Sequence, residues 1–207
     1  MSAITPPPHR LSSARWQGLR VGLLGGSFNP AHAGHMHIAR QAIIRFNLHA
    51  VWWVVSPGNP LKVKDPIGDL AARTKATAEF IRHPLMCATS IEGTLNTRYT
   101  YDTLRTLCTL FPRTKFLWIA GMDNACAFYK WDHWKNLPGI VPFVFFDRPP
   151  ASTKIKGKRL RAQRGIRQRT KIMKHRLQRG ETGVFWMLRG LALDLSSTAI
   201  RAKTKRK

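Results

Sequence analysis

Short apolar runs separated by longer amphipathic stretches fill most of this chain. Arg20–Leu24, Ala50–Val55, Met86–Ile91, Lys115–Ala120, Val141–Phe146 and Val184–Leu188 each read as a short buried strand. Between them lie segments of helical period. The first begins near Gly34 or His35 and carries Ile38, Ala39, Ala42, Ile43 and Phe46 on one face. Asp69–Arg82 follows an acidic start, and Thr100–Leu110 is a third helix. Leu195 to Thr198 reads as a loop that opens a last helix. Gly25 and Gly26 are expected to break the first strand, and Pro57, Gly58 and Pro60 to end the second in a loop. Strands alternating with helices predict an α/β fold, a doubly wound parallel sheet with helices on both faces. Ligands of such folds bind beyond the carboxyl ends of the strands.

The 207 residues suit one domain, set at residues 20–207. Residues 1–19, with Pro6-Pro7-Pro8 and Ser12-Ser13, read as a flexible leader without the apolar core of a secretory signal. No apolar stretch approaches the roughly 20 residues that span a bilayer. Three widely spaced cysteines, Cys87, Cys108 and Cys126, fit thiols in a reducing cytoplasm better than a disulfide framework.

Charge changes the picture. Thirty-five Lys and Arg face ten Asp and Glu, for a net +25. Twelve of the basic residues fall in 151–180, which holds no acid, and five more in Arg201–Lys207. The segment 151–180 shows little apolar periodicity and reads as a basic insertion, either loop or a loosely docked helix. Polyanions are the natural partners of such a surface. A solvated basic loop and a nucleic-acid contact both fit. The segment has no aromatic residue on which single-stranded bases would stack.

The densest chemistry lies in Gly25-Gly26-Ser27-Phe28-Asn29-Pro30-Ala31-His32-Ala33-Gly34-His35, after a strand and opening a helix. Glycines let backbone N–H groups approach a phosphate, and a helix N-terminus adds about half a positive charge there. His32 and His35, three residues apart, can face one phosphate pocket and donate to its oxygens. The spacing is neither GxGxxG nor GxxxxGK[ST]. A zinc site would need a third ligand, and none is placed nearby. Far downstream, Ser196-Ser197-Thr198 before Ala199-Ile200-Arg201 sets hydroxyls at a helix start and a permanently charged fork behind them.

The first segment resembles the (T/S)FxPxHxGH signature of the nucleotidyltransferase superfamily, and Ser196–Arg201 resembles its SSTxIR element. Three further stretches resemble the bacterial nicotinate-nucleotide adenylyltransferases within it: Ser56–Lys62 a PxxxPxK loop, Tyr99–Leu104 a YTxDTL element, and Gly121-Met122-Asp123 with Trp131 a GxD…W element. Phe146–Pro149 resembles an RPG element in which Pro150 replaces the glycine, and Asn29 stands where an Asp is common. The likeness spans about Val21 to Arg148 and Val184 to Arg201.

This resemblance implies a Rossmann-like sheet and an ATP site of Gly25, Gly26, Ser27, Phe28, His32, His35, Lys62, Ser197, Thr198 and Arg201. His32, His35, Lys62 and Arg201 are the catalytic group it implies. Thr100, Tyr101, Asp123, Trp131 and Arg148 would bind nicotinate mononucleotide, with Trp131 rather than Trp134 stacking on the pyridine ring. AMP would pass from ATP to the mononucleotide, with Mg2+ held mainly by substrate phosphates and water. Alternatives are a different acceptor, such as phosphopantetheine or a phosphorylated alcohol, and an RNA-binding protein on the same scaffold.

Overall fold

Runs such as Val51-Trp52-Trp53-Val54-Val55 have no polar face, and a strand without one must be covered on both sides. The computed structural model describes residues 13–58, 68–147, 159–170 and 174–187 and shows how this is met. Among them seven strands form one parallel sheet: β1 (Arg20–Gly26), β2 (Ala50–Val55), β3 (Met86–Thr89), β4 (Lys115–Gly121), β5 (Phe143–Phe146), β6 (Gln168–Thr170) and β7 (Val184–Met187). Their order is β3-β2-β1-β4-β5-β7-β6, with β1 paired to β2 on one side and to β4 on the other. The fold is the expected Rossmann-like, doubly wound α/β architecture.

Side chains alternate across the sheet with period two, so neighbours in β2 serve opposite layers. Trp52 packs with Trp16, Phe116, Trp118, Phe143 and Trp186 on one face. Trp53 packs with Leu24, Phe46, Ile119 and Phe185 on the other. Helix α1 (Ala33–Phe46) and helix α2 (Leu70–Phe80) cover the Trp53 face. The short α3 (Ile91–Thr94), then α4 (Thr100–Leu110), α5 (Met122–Ala127) and α6 (Leu137–Ile140) cover the Trp52 face. A final turn of helix, α7 (Arg159–Ala162), adds Leu160 to that side. Asp69 caps α2 by accepting from the Ala72 N–H at 2.7 Å, and Asn47 ends α1 in the left-handed conformation.

Several expectations need correction. Gly25 and Gly26 do not break β1; they continue it, paired with Val54 and Val55. The third and fifth strands are shorter than their apolar runs, because Ile91 turns into α3 and Val141 follows α6. The leader does not extend to residue 19. Ser13–Trp16 form a 3-10 turn, and buried Trp16 sets its ring edge-on to Trp52 at 4.9 Å. The described part of the basic segment, residues 159–170 and 174–180, is neither loop nor docked helix alone. It supplies β6, and Arg169 bonds Glu181 at 2.7 Å while His175 reaches the same carboxylate at 2.8 Å. Residues 1–12 and the last helix opened at Leu195 lie outside the described residues. Among those described, no helix is long and apolar enough to cross a membrane.

Trp16 offers a direct test of where the ordered chain begins. Removing a buried Trp costs about 3–5 kcal/mol, so Trp16→Ala should lower the unfolding free energy by about 3 kcal/mol in a denaturant titration. An unchanged midpoint would return residues 13–16 to the leader.

Candidate active site

The sheet order reverses beside β1: the chain moves outward through β2 and β3, then returns to place β4 on the other flank. The crevice at such a reversal is where doubly wound sheets bind ligands. The β1–β4 register runs to Leu24 and Ile119, and both strands then lead through Gly26 and Gly121 into sequence motifs.

Beyond β1, Phe28 takes a positive φ of 44°, a strained setting for a bulky residue. Its buried ring folds back over Gly26 and packs against Trp53 at 5.2 Å and His35 at 5.0 Å. A Cβ on Gly26 would lie 3.1 Å from Phe28 Cζ, and one on Gly25 would lie 2.5 Å from Trp118 Cζ2. The glycines thus admit the protein's own aromatic rings, a packing reason that the sequence did not disclose. His32 is the N-cap of α1, and its Nδ1 accepts from the Gly34 N–H at 3.2 Å. In the neutral ring this leaves Nε2 as the donor. The His32 and His35 rings lie 3.8 Å apart at 31°, which puts both imidazoles at the opening of one helix. His32 is buried and His35 partly so.

Beyond β4, Asp123 sits in the first turn of α5 with its carboxylate folded over Gly121. Trp131 follows a 3-10 turn, Phe128–Lys130, and packs on Phe128 at 5.2 Å and edge-on to Trp118 at 6.3 Å. Trp134 touches Phe128 at 6.4 Å. Helix α4 meets the same turn, with the Tyr101 ring 4.4 Å from the His133 ring. Thr100 is not the cap of α4. Tyr99 is, and it makes no side-chain cap bond. Tyr101 and Trp131 both pack on the Trp52 face, and Trp118 links Trp131 to Gly25 of the first motif.

A cytidylyltransferase-like family model matches residues 23–203, nearly the whole chain. The chain belongs to this family. One relative from Cereibacter sphaeroides, named "Probable nicotinate-nucleotide adenylyltransferase", is 42% identical over 192 residues, covering 88% of this chain and 96% of the relative. Another of the same name from Ruegeria sp. is 40% identical over 188 residues, covering 89% and 97%. The solved nicotinic acid mononucleotide adenylyltransferase of Plasmodium falciparum complexed with NaAD matches with a TM-score of 0.65 at 17% identity, covering 89% of this chain and 83% of that one. That last likeness shows the fold. The family makes the chain a nucleotidyltransferase.

Of the residues that the motifs single out, Lys62, Arg148, Ser197, Thr198 and Arg201 lie outside the described residues. Other groups beside the motifs went unnoticed in the sequence. Arg73 of α2 is buried and bonds main-chain oxygens of the segments after β1 and β2. Glu92 is buried on α3, where the Thr103 hydroxyl donates to its Oε1 at 3.2 Å. Thr103 Oγ1 also lies 2.8 Å from Thr97 Oγ1 and 3.1 Å from the Tyr99 carbonyl, so this cluster ties down the segment leading into Thr100. Hydropathy gave no signal for either group; an isolated Arg or Glu in a helix reads as solvated. The cysteines are free, and burial pushes the Cys87 thiol up to about 12, which leaves it unreactive.

Burial pushes the Glu92 carboxyl from the ordinary 4.5 up to about 7, and the Thr103 bond only partly opposes this. The folded state thus binds a proton that the unfolded chain has released. Between pH 4.5 and 7 the wild type should lose on the order of 3 kcal/mol of stability as pH rises. Glu92→Gln cannot ionise, so its unfolding free energy should fall less steeply across that window. Parallel pH–stability curves for the two proteins would contradict the burial account of Glu92.

Proposed function

We propose that this chain transfers the adenylyl group of ATP to nicotinate mononucleotide, releasing pyrophosphate and the dinucleotide deamido-NAD. The observation that carries the reading is the 42% identity, over nearly the full length of both chains, to a relative bearing that enzyme name. The geometry supports it. The His32–His35 pair at the head of α1 suits a polyphosphate, and the Thr100–Trp131 side suits a flat ring bearing an anion.

In this reading the mononucleotide phosphate attacks the α-phosphorus of ATP in line, and the bond to the β-phosphate bridging oxygen breaks. The attacking phosphate is already ionised near neutral pH, so no strong base is required. Catalysis is positioning plus charge stabilisation. His32 donates through Nε2 to the reacting phosphates. His35, Lys62 and Arg201 take the β- and γ-phosphates, with Ser27, Ser197, Thr198 and the backbone of Gly25, Gly26 and Phe28 around them. Trp131 stacks on the pyridine ring, Asp123 and Arg148 bind the sugar-phosphate portion, and the backbone at Thr100 and Tyr101 meets the carboxylate. Mg2+ arrives with ATP as part of the substrate. In this reading phosphate oxygens and water hold it. Three free thiols fit a cytoplasmic setting. We give Arg169, His175 and Glu181 a packing role, because the first two close on the Glu181 carboxylate.

Pyrophosphate release from ATP and Mg2+ tests the reading with nicotinate mononucleotide, nicotinamide mononucleotide and phosphopantetheine as parallel acceptors. Release should be strong with the first and weak with the others. Strong release with phosphopantetheine would move the chain to another acceptor class, and none at all from folded protein would reduce the motifs to scaffold. His35→Ala and Arg201→Ala should each lower turnover by about 100-fold with the melting temperature unchanged. Turnover near wild type in either variant removes that residue from the site.

A further inference from the structure

Helix α2 has an unusual inner face. Its buried residues are Arg73 and Thr77, one turn apart, where a covering helix would ordinarily set two apolar side chains. A buried guanidinium is costly unless its donors are met. Each of its nitrogens finds a main-chain carbonyl. Nη1 donates to Ser27 O at 2.8 Å and to Ser56 O at 2.9 Å, Nη2 to Pro57 O at 3.4 Å, and Nε to Gly68 O at 3.3 Å. Among the described residues Arg73 makes no salt bridge; its partners are all backbone.

The identity of those carbonyls gives the arrangement its meaning. β1 and β2 run in register to the pair Gly26 and Val55, and one more bond follows, from the Ser56 N–H to the Gly26 carbonyl at 3.0 Å. Ser27 and Ser56 are the first residues past the strands, where the two chains part. Arg73 Nη1 spans that fork. On one side the chain continues into Phe28 and His32; on the other it continues into Pro57, Gly58 and on toward Lys62. Nε reaches Gly68, where the chain returns to start α2.

We infer that Arg73 is a positioning residue for ATP, clamping the segment that carries the histidine pair and the segment that leads to Lys62 at a fixed separation. The inference rests on the adenylyl-transfer reading above. Arg73 touches none of the reacting atoms in this account; it acts through two backbones. The planar fork is what the task needs, since a single ammonium cannot reach carbonyls on three segments at once. A charged group facing two carbonyls also holds them harder than a neutral donor would.

The test uses the full chain with Arg73→Lys and Arg73→Met. Three quantities are measured: the melting temperature, the separate KM values for ATP and nicotinate mononucleotide with kcat, and amide hydrogen exchange in the ATP-free protein. Both variants should raise KM for ATP or lower kcat by about tenfold or more, and leave KM for the mononucleotide within about twofold. Exchange should quicken at residues 27–36 and 56–58 while β4 and β5 stay protected. The lysine should rescue part of the loss, because it restores the charge but not the fork. Equal rises in both KM values, or unchanged exchange at residues 27–36, would overturn the inference. So would a lysine variant that fails to fold, since Arg73 would then serve the whole core. Should the wild type itself release no pyrophosphate, the functional reading fails, and hydrogen exchange still decides whether Arg73 clamps the two segments.

Discussion

Parallel pairing of β1 with β4 is the constraint on which the site depends. The chain leaves β1 through α1 toward β2 and β3, and only after α4 does it return to the opposite edge of β1. Crossovers in parallel sheets are right-handed, so excursions in opposite directions lay their helices on opposite faces. α1 and α2 pack on the Trp53 face and α4 on the Trp52 face. Such a reversal of strand order opens a crevice at the carboxyl ends of the strands, here β1 and β4. Neither the histidine pair nor the Trp131 turn could flank a common space if β4 had been added beyond β3.

The crevice is held by close packing from beneath. Trp118 lies over Gly25 and meets Trp131 edge to face, so one indole contacts both halves of the candidate site. Polar groups finish what packing cannot. Arg73 ties the ends of β1 and β2, the Glu92–Thr103–Thr97 cluster ties the approach to α4, and Glu181 gathers Arg169 and His175 beside β7. The chain has ten acids against thirty-five Lys and Arg, and among the described residues Glu92 and Glu181 each have a carboxylate held by neighbouring side chains.

Legibility in the sequence followed burial. The stretch Ala50–Val55 was readable to the residue, because a strand covered on both faces has nothing but apolar side chains. Thr100–Leu110 was equally clear from its period. β6 was invisible: Gln168, Arg169 and Thr170 form an edge strand that pairs on one side only and stays partly exposed. Gly25 and Gly26 looked like a break, since glycine is a poor strand former, but β2 supplies the pairing that overrides propensity. Trp16 was one aromatic residue in a polar leader. In the site, the spacing of His32 and His35 on one helix foretold their contact. The meeting of Tyr101 with His133 did not follow from spacing; only the family resemblance had joined α4 to the Trp131 turn. Arg73 was hidden because its partners are carbonyls, which every residue has.

The central claim is that one crevice above β1 and β4 binds both halves of the reaction. A crystal structure with the product dinucleotide tests it most directly. The adenylate phosphate should lie at the N-terminus of α1 within hydrogen-bond reach of His32 Nε2, and the pyridine ring should stack on Trp131 with its carboxylate at the start of α4. A dinucleotide bound away from the β1–β4 ends, or turned so that the pyridine ring meets His32 and His35, would contradict the account.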